Sequence, residues 1–274
     1  MATGAKAVVI EAKPAEPTAH SPQPHAIDPD KTDFLDFAFD RKTIDDVIGD
    51  IISRRPDAPF EYIVTPNVDH VVRMHRDRPD LPRVYRRAWM TLCDSRILAK
   101  VALLFGIRLP VVAGSDLTAA MFSRVIVPYD RIAILGGSEA TVEALSRTYG
   151  LTDVVHYNPP MRFIDNSAER LRAIEFLVEA RARFTFLAVG SPQQELVAHG
   201  VACSDAAVGL GLCVGASLEF LTSEKARAPR FMQAMSLEWL FRLLSEPRRL
   251  WRRYLLDGPR IIVIALSWRR SVRR

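Results

Sequence analysis

This 274-residue chain has few cysteines, and its histidines do not cluster. Only three cysteines are present, with no C-x-x-C and no metal-ligand spacing, which argues against a disulfide scaffold and favours a reducing compartment. Of the six histidines, His70 and His75 are five residues apart, rather than the four that place two ligands on one helix face. We therefore expect no zinc site.

The best-known nucleotide-binding motifs are also missing. No G-x-G-x-x-G follows a strand-like run, and no G-x-x-x-x-G-K-[ST] occurs. These absences argue against a nicotinamide-dependent oxidoreductase and against a P-loop enzyme. The single D-x-D, Asp28-Pro-Asp30, lies in a proline-rich segment, so we do not read it as a metal–diphosphate motif.

Long apolar runs are absent as well. The longest near the carboxyl end, Ile261–Leu266, is far shorter than the roughly 20 residues that cross a bilayer. The amino-terminal segment has no apolar core of the kind found in signal peptides. We expect neither secretion nor a transmembrane helix.

Positive charge is concentrated at the carboxyl end. Residues 225–274 carry 13 Lys/Arg against three acidic residues, a net charge of about +10, so the rest of the chain is close to −5. Apolar residues recur there at helical spacing on both sides of Pro247, which predicts two helices with a break. Such a segment suits a membrane surface, a helix packed on the core, or nucleic acid; tryptophans beside the arginines favour the membrane.

The remaining sequence predicts an α/β fold. Residues 1–32 read as a disordered extension, residues 33–225 as an α/β core, and residues 226–274 as a basic amphipathic appendage. Within the core, apolar strand-like runs alternate with amphipathic helices, which indicates a Rossmann-like, largely parallel sheet flanked by helices. The predicted strands are Glu61–Val64, Leu109–Ala113, Arg131–Leu135, Asp153–Tyr157, Phe184–Val189 and Ala207–Val214. The clearest unit has Ser138 as helix N-cap and Gly150 after the helix.

Polar side chains follow two of the apolar runs. Thr65 and Asn67 can hydrogen-bond sugar hydroxyls or phosphate oxygens, although Thr-Pro-Asn is also an ordinary loop sequence. Asp94 follows apolar residues, and a partly desolvated carboxylate there can act as a general base. It can equally cap the helix predicted after it. Both roles can coexist at a helix start.

Glycine-containing turns follow three other predicted strands, at the sheet edge where α/β proteins bind ligands. Gly136-Gly137 either forms only a tight turn or offers N–H groups to an anion such as a diphosphate. In Gly190–Glu195, two consecutive glutamines exceed what a helix cap needs, which favours a binding role over a cap. The predicted donor-binding set is Gly136, Gly137, Gly190, Pro192, Gln193, Gly215, Ala216 and Glu219.

A series of motifs occurs in order between Asp33 and Tyr254. They are Thr65-Pro-Asn67, Cys93-Asp-Ser95, Gly114-Ser-Asp116, Leu135-Gly-Gly137, Val189–Glu195, Gly211–Ala216, Arg227–Gln233 and Leu237–Arg249. With these motifs the chain resembles the WecG/TagA/CpsF glycosyltransferases. The run from Arg227-Ala-Pro229 to Arg249 is the most specific part of the match.

The resemblance implies a bacterial enzyme of exopolysaccharide or surface polysaccharide assembly. Such enzymes move a hexose, N-acetylhexosamine or uronic acid from a UDP-sugar to a polyprenyl-diphosphate-linked saccharide, with inversion and without a metal. They work at the inner face of the cytoplasmic membrane. By position, Asp94 matches the proposed catalytic base, Thr65 and Asn67 match residues beside it, and Gln194 matches the glutamine near the donor diphosphate.

The resemblance also gives the tail a role in completing the active site and in contacting an anionic membrane. Its phosphate-stabilising candidates are Arg227, Arg230, Arg242, Arg248 and Arg249. No cofactor and no nucleic-acid partner are expected, and an exposed apolar tail can drive homo-oligomer formation. Cys93 and Ser95 stand where the family often has proline and glycine around the aspartate. The segment of residues 158–161 also differs from the corresponding segment of better-known members. Both departures bear on which sugars the protein accepts. The alternative is a non-catalytic, membrane-associated nucleotide-binding protein of polysaccharide assembly.

Overall fold

A computed structural model of the chain describes residues 30–78, 80–222, 229, 232 and 237–272. It begins with an antiparallel hairpin of β1 (Lys31–Phe34) and β2 (Phe37–Asp40). The extension predicted for residues 1–32 lies outside the described residues up to position 29, and its last two residues form the start of β1. The hairpin joins the core because Phe34, Phe37 and Phe39 are fully buried.

A six-stranded, wholly parallel sheet follows, and it confirms the predicted α/β class. Its strands are β3 (Glu61–Val64), β4 (Met90–Thr91), β5 (Arg131–Leu135), β6 (Asp153–Tyr157), β7 (Phe184–Leu187) and β8 (Leu210–Cys213). They lie in the order β4-β3-β8-β7-β5-β6. Because every pair is parallel, all six carboxyl ends meet at one edge of the sheet.

Helices cover both faces of this sheet. One face packs against α2 (Val68–Asp77), α3 (Leu81–Arg87), α4 (Arg96–Leu104), α7 (Ser167–Ala180) and α8 (Gln193–Ala202). The other packs against α1 (Ile44–Ser53), α5 (Gly114–Arg124), α6 (Glu139–Tyr149) and α9 (Ser217–Leu221). A 3-10 turn, Phe163–Asp165, precedes α7. With both faces covered, the strands are uniformly apolar, as parallel sheets require.

Strand order reverses direction between β7 and β5. The crossover from β5 through α6 leads outward to β6, whereas the crossover from β7 through α8 leads the opposite way to β8. The two helices consequently lie on opposite faces of the sheet, which is what right-handed crossovers demand. A crevice opens at such a switch point, outside the carboxyl ends of the strands.

The clearest predicted unit is confirmed. Ser138 caps α6 by accepting a hydrogen bond from the Thr141 amide at 3.0 Å, and Gly150 ends the helix in the left-handed conformation with φ of 65°. The strand predicted at Leu109–Ala113 is wrong. Only Val111 makes an isolated parallel bridge, to Cys93, because Pro110 has no N–H to donate to a ladder.

The basic tail contains the proline break that was predicted: α10 (Glu238–Ser245) ends before α11 (Pro247–Trp251) begins. A π-helical segment, Arg252–Asp257, leads to α12 (Arg260–Val272). This last helix packs on the core through the buried Ile261 and Ala265. Within the part of the chain that the structure describes, no helix has the length and hydropathy to cross a membrane.

Candidate active site

Residues predicted from four separate turns lie together at the carboxyl edge of the sheet. Thr65 follows β3, and Asp94 lies three residues beyond β4. Gln194 lies in the first turn of the helix after β7, and Gly215 follows β8. The order of these four strands is β4-β3-β8-β7, so neighbouring strands supply the residues. The parallel topology alone produces this gathering.

Asp94 is held at the start of α5. Its Oδ1 accepts a hydrogen bond from the Gly114 amide at 2.9 Å, and its own amide donates to the Pro66 carbonyl at 3.1 Å. The capping alternative for Asp94 is wrong, because Ser95 caps α4 by accepting from the Leu98 amide at 3.2 Å. The carboxylate instead faces the positive end of α5, which stabilises a negative charge.

Thr65 lies against the same glycine. Its hydroxyl is buried and donates to the Cys213 carbonyl at 3.4 Å, joining the ends of β3 and β8. A Cβ at Gly114 would be 2.9 Å from Thr65 Oγ1, so only glycine lets α5 approach this closely. Gly114 thus adjoins both Thr65 and Asp94. Gly114 opens the Gly114-Ser-Asp116 motif, but nothing in its sequence neighbourhood indicates this role.

Asn67 is the N-cap of α2. Its side-chain Oδ1 accepts a hydrogen bond from the Asp69 backbone amide at 3.0 Å, while its own backbone amide donates to Nδ1 of His70 at 3.2 Å. This is a capping box, in which side chain and backbone satisfy each other at the helix start. The side-chain oxygen of Asn67 therefore caps the helix, a role that the sequence did not predict.

Gln194 joins the turns after β7 and β8. It is buried, its Oε1 accepts from the Gly215 amide at 2.9 Å, and its Nε2 donates to Oε1 of Glu195 at 3.0 Å. The predicted donor residues Gly190, Pro192, Gln193 and Ala216 flank this bridge, and Glu219 lies within α9. Gln194 thus sets the separation of the two turns that flank it.

Arg73 is a cation near the site that the sequence patterns did not predict. From α2 its Nη1 donates to the Ser191 carbonyl at 2.8 Å and to Ser191 Oγ at 3.2 Å, and Nη2 is paired with Asp69. This clamp fastens the turn after β7 to the helix after β3. The four-residue spacing of Asp69 and Arg73 signals a helical ion pair, but nothing local points to Ser191.

Gly136 and Gly137 occupy the β5 side of the switch point, and both have positive φ, 89° and 78°. The Gly136 amide donates to the Tyr157 carbonyl at 2.8 Å, and its carbonyl accepts from His156 Nε2 at 3.1 Å. The Gly136 amide is thus occupied, so the anion hypothesis rests on Gly137 and the first turn of α6.

We expect Gly136→Ala to destabilise the protein far more than Gly137→Ala. A Cβ at Gly136 would be 2.7 Å from Val189 Cγ1 and 3.0 Å from the Ala188 carbonyl atoms, whereas nothing lies within 4 Å of one at Gly137. Both changes cost about 1–2 kcal/mol for the left-handed backbone, and Gly136→Ala adds about 1–3 kcal/mol of overlap. Urea unfolding measures the difference, and equal losses would contradict the packing at the switch point.

Glu195 is a carboxyl group enclosed beneath the site. It is 1% exposed, and burial raises its pKa above the ordinary glutamate value, while the hydrogen bond from Gln194 opposes the shift. The folded state then binds a proton more tightly than the unfolded state. The resulting contribution to stability is complete below the unfolded pKa and is lost as pH rises through the folded pKa.

Glu195→Gln should therefore weaken the dependence of the free energy of unfolding on pH. The variant cannot ionise, so its free energy of unfolding should gain on that of the wild type as pH rises from about 5 to about 8. Urea unfolding at each pH tests this, with the exposed Glu175→Gln as control. If the difference in free energy of unfolding between Glu195→Gln and the wild type stayed constant with pH, the raised pKa of Glu195 would be contradicted.

Two cysteines near the site are unsuited to nucleophilic chemistry. Burial raises the pKa of the Cys93 thiol to about 12 and that of the Cys213 thiol well above its usual range. Both thiols therefore stay protonated near neutral pH, and only a thiolate is an effective nucleophile. In the described ranges, no three His, Cys, Asp or Glu side chains group as a metal site would require.

The tail arginines are described only in part. Arg227 and Arg230 lie outside the described residues, and of Arg242 and Arg249 only the helical backbone is described. Arg248, in α11, is exposed. Their role at a diphosphate therefore remains a prediction from the resemblance.

A comparison with models of protein families covers nearly the whole of the chain that the structure describes. The family model described as the glycosyl transferase WecG/TagA/CpsF family matches residues 32–274, from β1 through α12. The match includes Thr65, Asp94 and Gln194, which three different turns bring to one edge of the sheet. The chain therefore belongs to the WecG/TagA/CpsF family of glycosyltransferases.

Proposed function

We propose that this glycosyltransferase moves a sugar from a UDP-sugar to a polyprenyl-diphosphate-linked saccharide, with inversion at the anomeric carbon. The observation that carries the proposal is the half-buried Asp94 carboxylate at the carboxyl edge of the sheet, held by the Gly114 amide beside Thr65. A fixed carboxylate at such a site suits a general base.

In the proposed reaction, Asp94 removes the proton from an acceptor hydroxyl as the oxygen attacks the anomeric carbon. The bond from that carbon to the diphosphate oxygen breaks, and UDP leaves with the bonding electron pair. One displacement from the opposite face inverts the configuration. The proton ends on Asp94 and is later released to water.

The donor is proposed to bind across the turns after β7, β8 and β5. Support comes from the switch point between β7 and β5 and from the Gln194–Gly215 bridge beside it. Arg73 places a cation against the β7 turn, where it can offset the charge of a diphosphate. We propose that tail arginines, including Arg248, add to this charge and that no metal is needed.

We propose that the appendage of residues 226–274 contacts the cytoplasmic membrane, which would bring the enzyme to its lipid-linked acceptor. Arginines beside exposed Trp251, Leu255 and Leu256 support this assignment. Point substitutions test it more cleanly than deletion, since deletion would uncover the core beneath Ile261 and Ala265.

A transfer assay tests the function directly. UDP-sugars of the hexose, N-acetylhexosamine and uronic acid types are paired with polyprenyl-diphosphate-linked saccharides, with and without chelator. We expect transfer with inversion from one donor class and equal rates in chelator. Loss of transfer in chelator would overturn metal independence. UDP binding without transfer from any donor would instead favour the non-catalytic alternative.

A further inference from the structure

Large apolar side chains are exposed at the end of α4, on the core itself. Leu103 is 57% exposed and Leu104 is 75% exposed. On α12, Ile262, Val263 and Leu266 are also exposed, along the stripe opposite the buried Ile261 and Ala265. Single exposed leucines are ordinary on protein surfaces, but several large apolar side chains exposed on neighbouring elements are typical of an interaction surface.

An aromatic contact joins these two elements. The Phe34 ring lies 6.3 Å from that of Phe105, the residue that ends α4, and 5.3 Å from that of Trp268 on α12. The guanidinium of Arg269 lies over Phe105, 5.2 Å from the ring centroid. The end of α4 and the last turns of α12 are therefore neighbours on one side of the molecule.

The two segments that carry these exposed side chains are positively charged, whereas the exposed Asp33 and Asp36 lie in the hairpin beside Phe34. Residues 95–115 contain Arg96, Lys100 and Arg108 and no acidic residue. The described residues 258–272 contain three arginines and no acidic residue. Apolar side chains among cations are complementary to an anionic lipid surface, whereas nucleic acid would leave the leucines without partners.

We propose that Leu103 and Leu104 of the core, with Ile262, Val263 and Leu266 of α12, form a surface that inserts into an anionic bilayer. We call this set the α4–α12 surface. It adds a part of the catalytic core to the membrane contact assigned to the tail. The inference rests on the proposed function, because that function requires a lipid-linked acceptor.

The position of α4 gives this surface a consequence for the reaction. The helix begins two residues after Asp94 and spans nine residues, so Leu104 lies about 13 Å along its axis from the catalytic end. Insertion of Leu103 and Leu104 would hold Asp94 at a set distance from the lipid. An acceptor whose sugar is separated from its lipid by a diphosphate suits that geometry.

Vesicle flotation tests the α4–α12 surface. The full chain is mixed with vesicles of equal parts phosphatidylglycerol and phosphatidylcholine, or of phosphatidylcholine alone. We expect the wild type to float with the anionic vesicles and Leu103→Asp/Leu104→Asp to bind them at least about tenfold more weakly. The matched control is Ile52→Asp/Leu171→Asp, at leucine-sized side chains that are 56% and 54% exposed on α1 and α7.

Equal binding by the two double variants would overturn the proposal, as would a wild type that does not float. Loss of a wild-type dimer in sedimentation, with vesicle binding unchanged, would make the surface a self-association face instead. If the aspartates prevent folding, Leu103→Gln/Leu104→Gln is used with the same expectation. Flotation needs neither donor nor transfer, so failure of this inference is separate from failure of the proposed function.

Discussion

Asp94→Asn should lower the rate constant for transfer by about 10²–10⁴-fold, the range that a positioned general base contributes. Asparagine keeps an oxygen that can accept from the Gly114 amide, so the start of α5 should stay in place while the basic carboxylate is lost. We therefore expect a fall in kcat with little change in the melting temperature. Single-turnover transfer and a thermal melt measure the two effects.

The exposed Asp205, in the loop between α8 and β8, provides the control for this substitution. It lies at the amino end of β8, on the opposite edge of the sheet from Asp94. Asp205→Asn should leave both kcat and the melting temperature near wild type. Near wild-type turnover by a folded Asp94→Asn would remove the base assignment, whatever the donor sugar.

Gln194→Met should cost about 1–3 kcal/mol of unfolding free energy, because the buried Glu195 carboxyl loses the hydrogen bond from Gln194, whereas the Gly215 amide keeps the Leu187 carbonyl as acceptor. Methionine has a similar volume but cannot accept from the Gly215 amide or donate to Glu195. The turns after β7 and β8 would then be joined only by the backbone hydrogen bonds from Val214 and Gly215 to the Leu187 carbonyl, so we also expect a raised KM for the donor. Urea unfolding and initial rates over a donor series measure the two effects.

Gln193→Met is the matched substitution for stability. Gln193 is adjacent in sequence but half-buried, so its replacement should change the free energy of unfolding by much less than that of Gln194. Equal losses at positions 193 and 194 would show that the Gln194 bridge contributes little. A lower stability with an unchanged donor KM would restrict Gln194 to a structural role.

Local patterns predicted a large part of the fold. The alternation of apolar runs and helices gave the parallel α/β class, and β3, β5 and β6 have the predicted bounds. Strand β7 ends at Leu187, two residues earlier than predicted, because the turn residues after it leave the ladder. Strand β8 begins later than predicted, at Leu210, and ends one residue earlier, at Cys213. The strand at Leu109–Ala113 failed because apolar residues beside a proline make a buried loop as readily as a strand.

Side-chain partners were much less predictable. Ser138 as a cap follows from its own neighbours, within one helical turn. By contrast, Asp94 finds its partner 20 residues along the chain at Gly114, and Arg73 finds Ser191 in another βα unit. The two-residue strand β4 is too short to show an alternation, so the element that carries Asp94 toward the site was itself missed.

The sequence by itself determined the elements, the polar residues that follow the strands and the positive charge of the tail, because each depends on neighbours close in the chain. Only the tertiary structure decided which turns adjoin, that Asp94 accepts from the Gly114 amide, and that α12 packs beside Phe34 and Phe105. Those outcomes depend on strand order and on which apolar faces bury each other. Both are settled by packing between residues far apart in the chain.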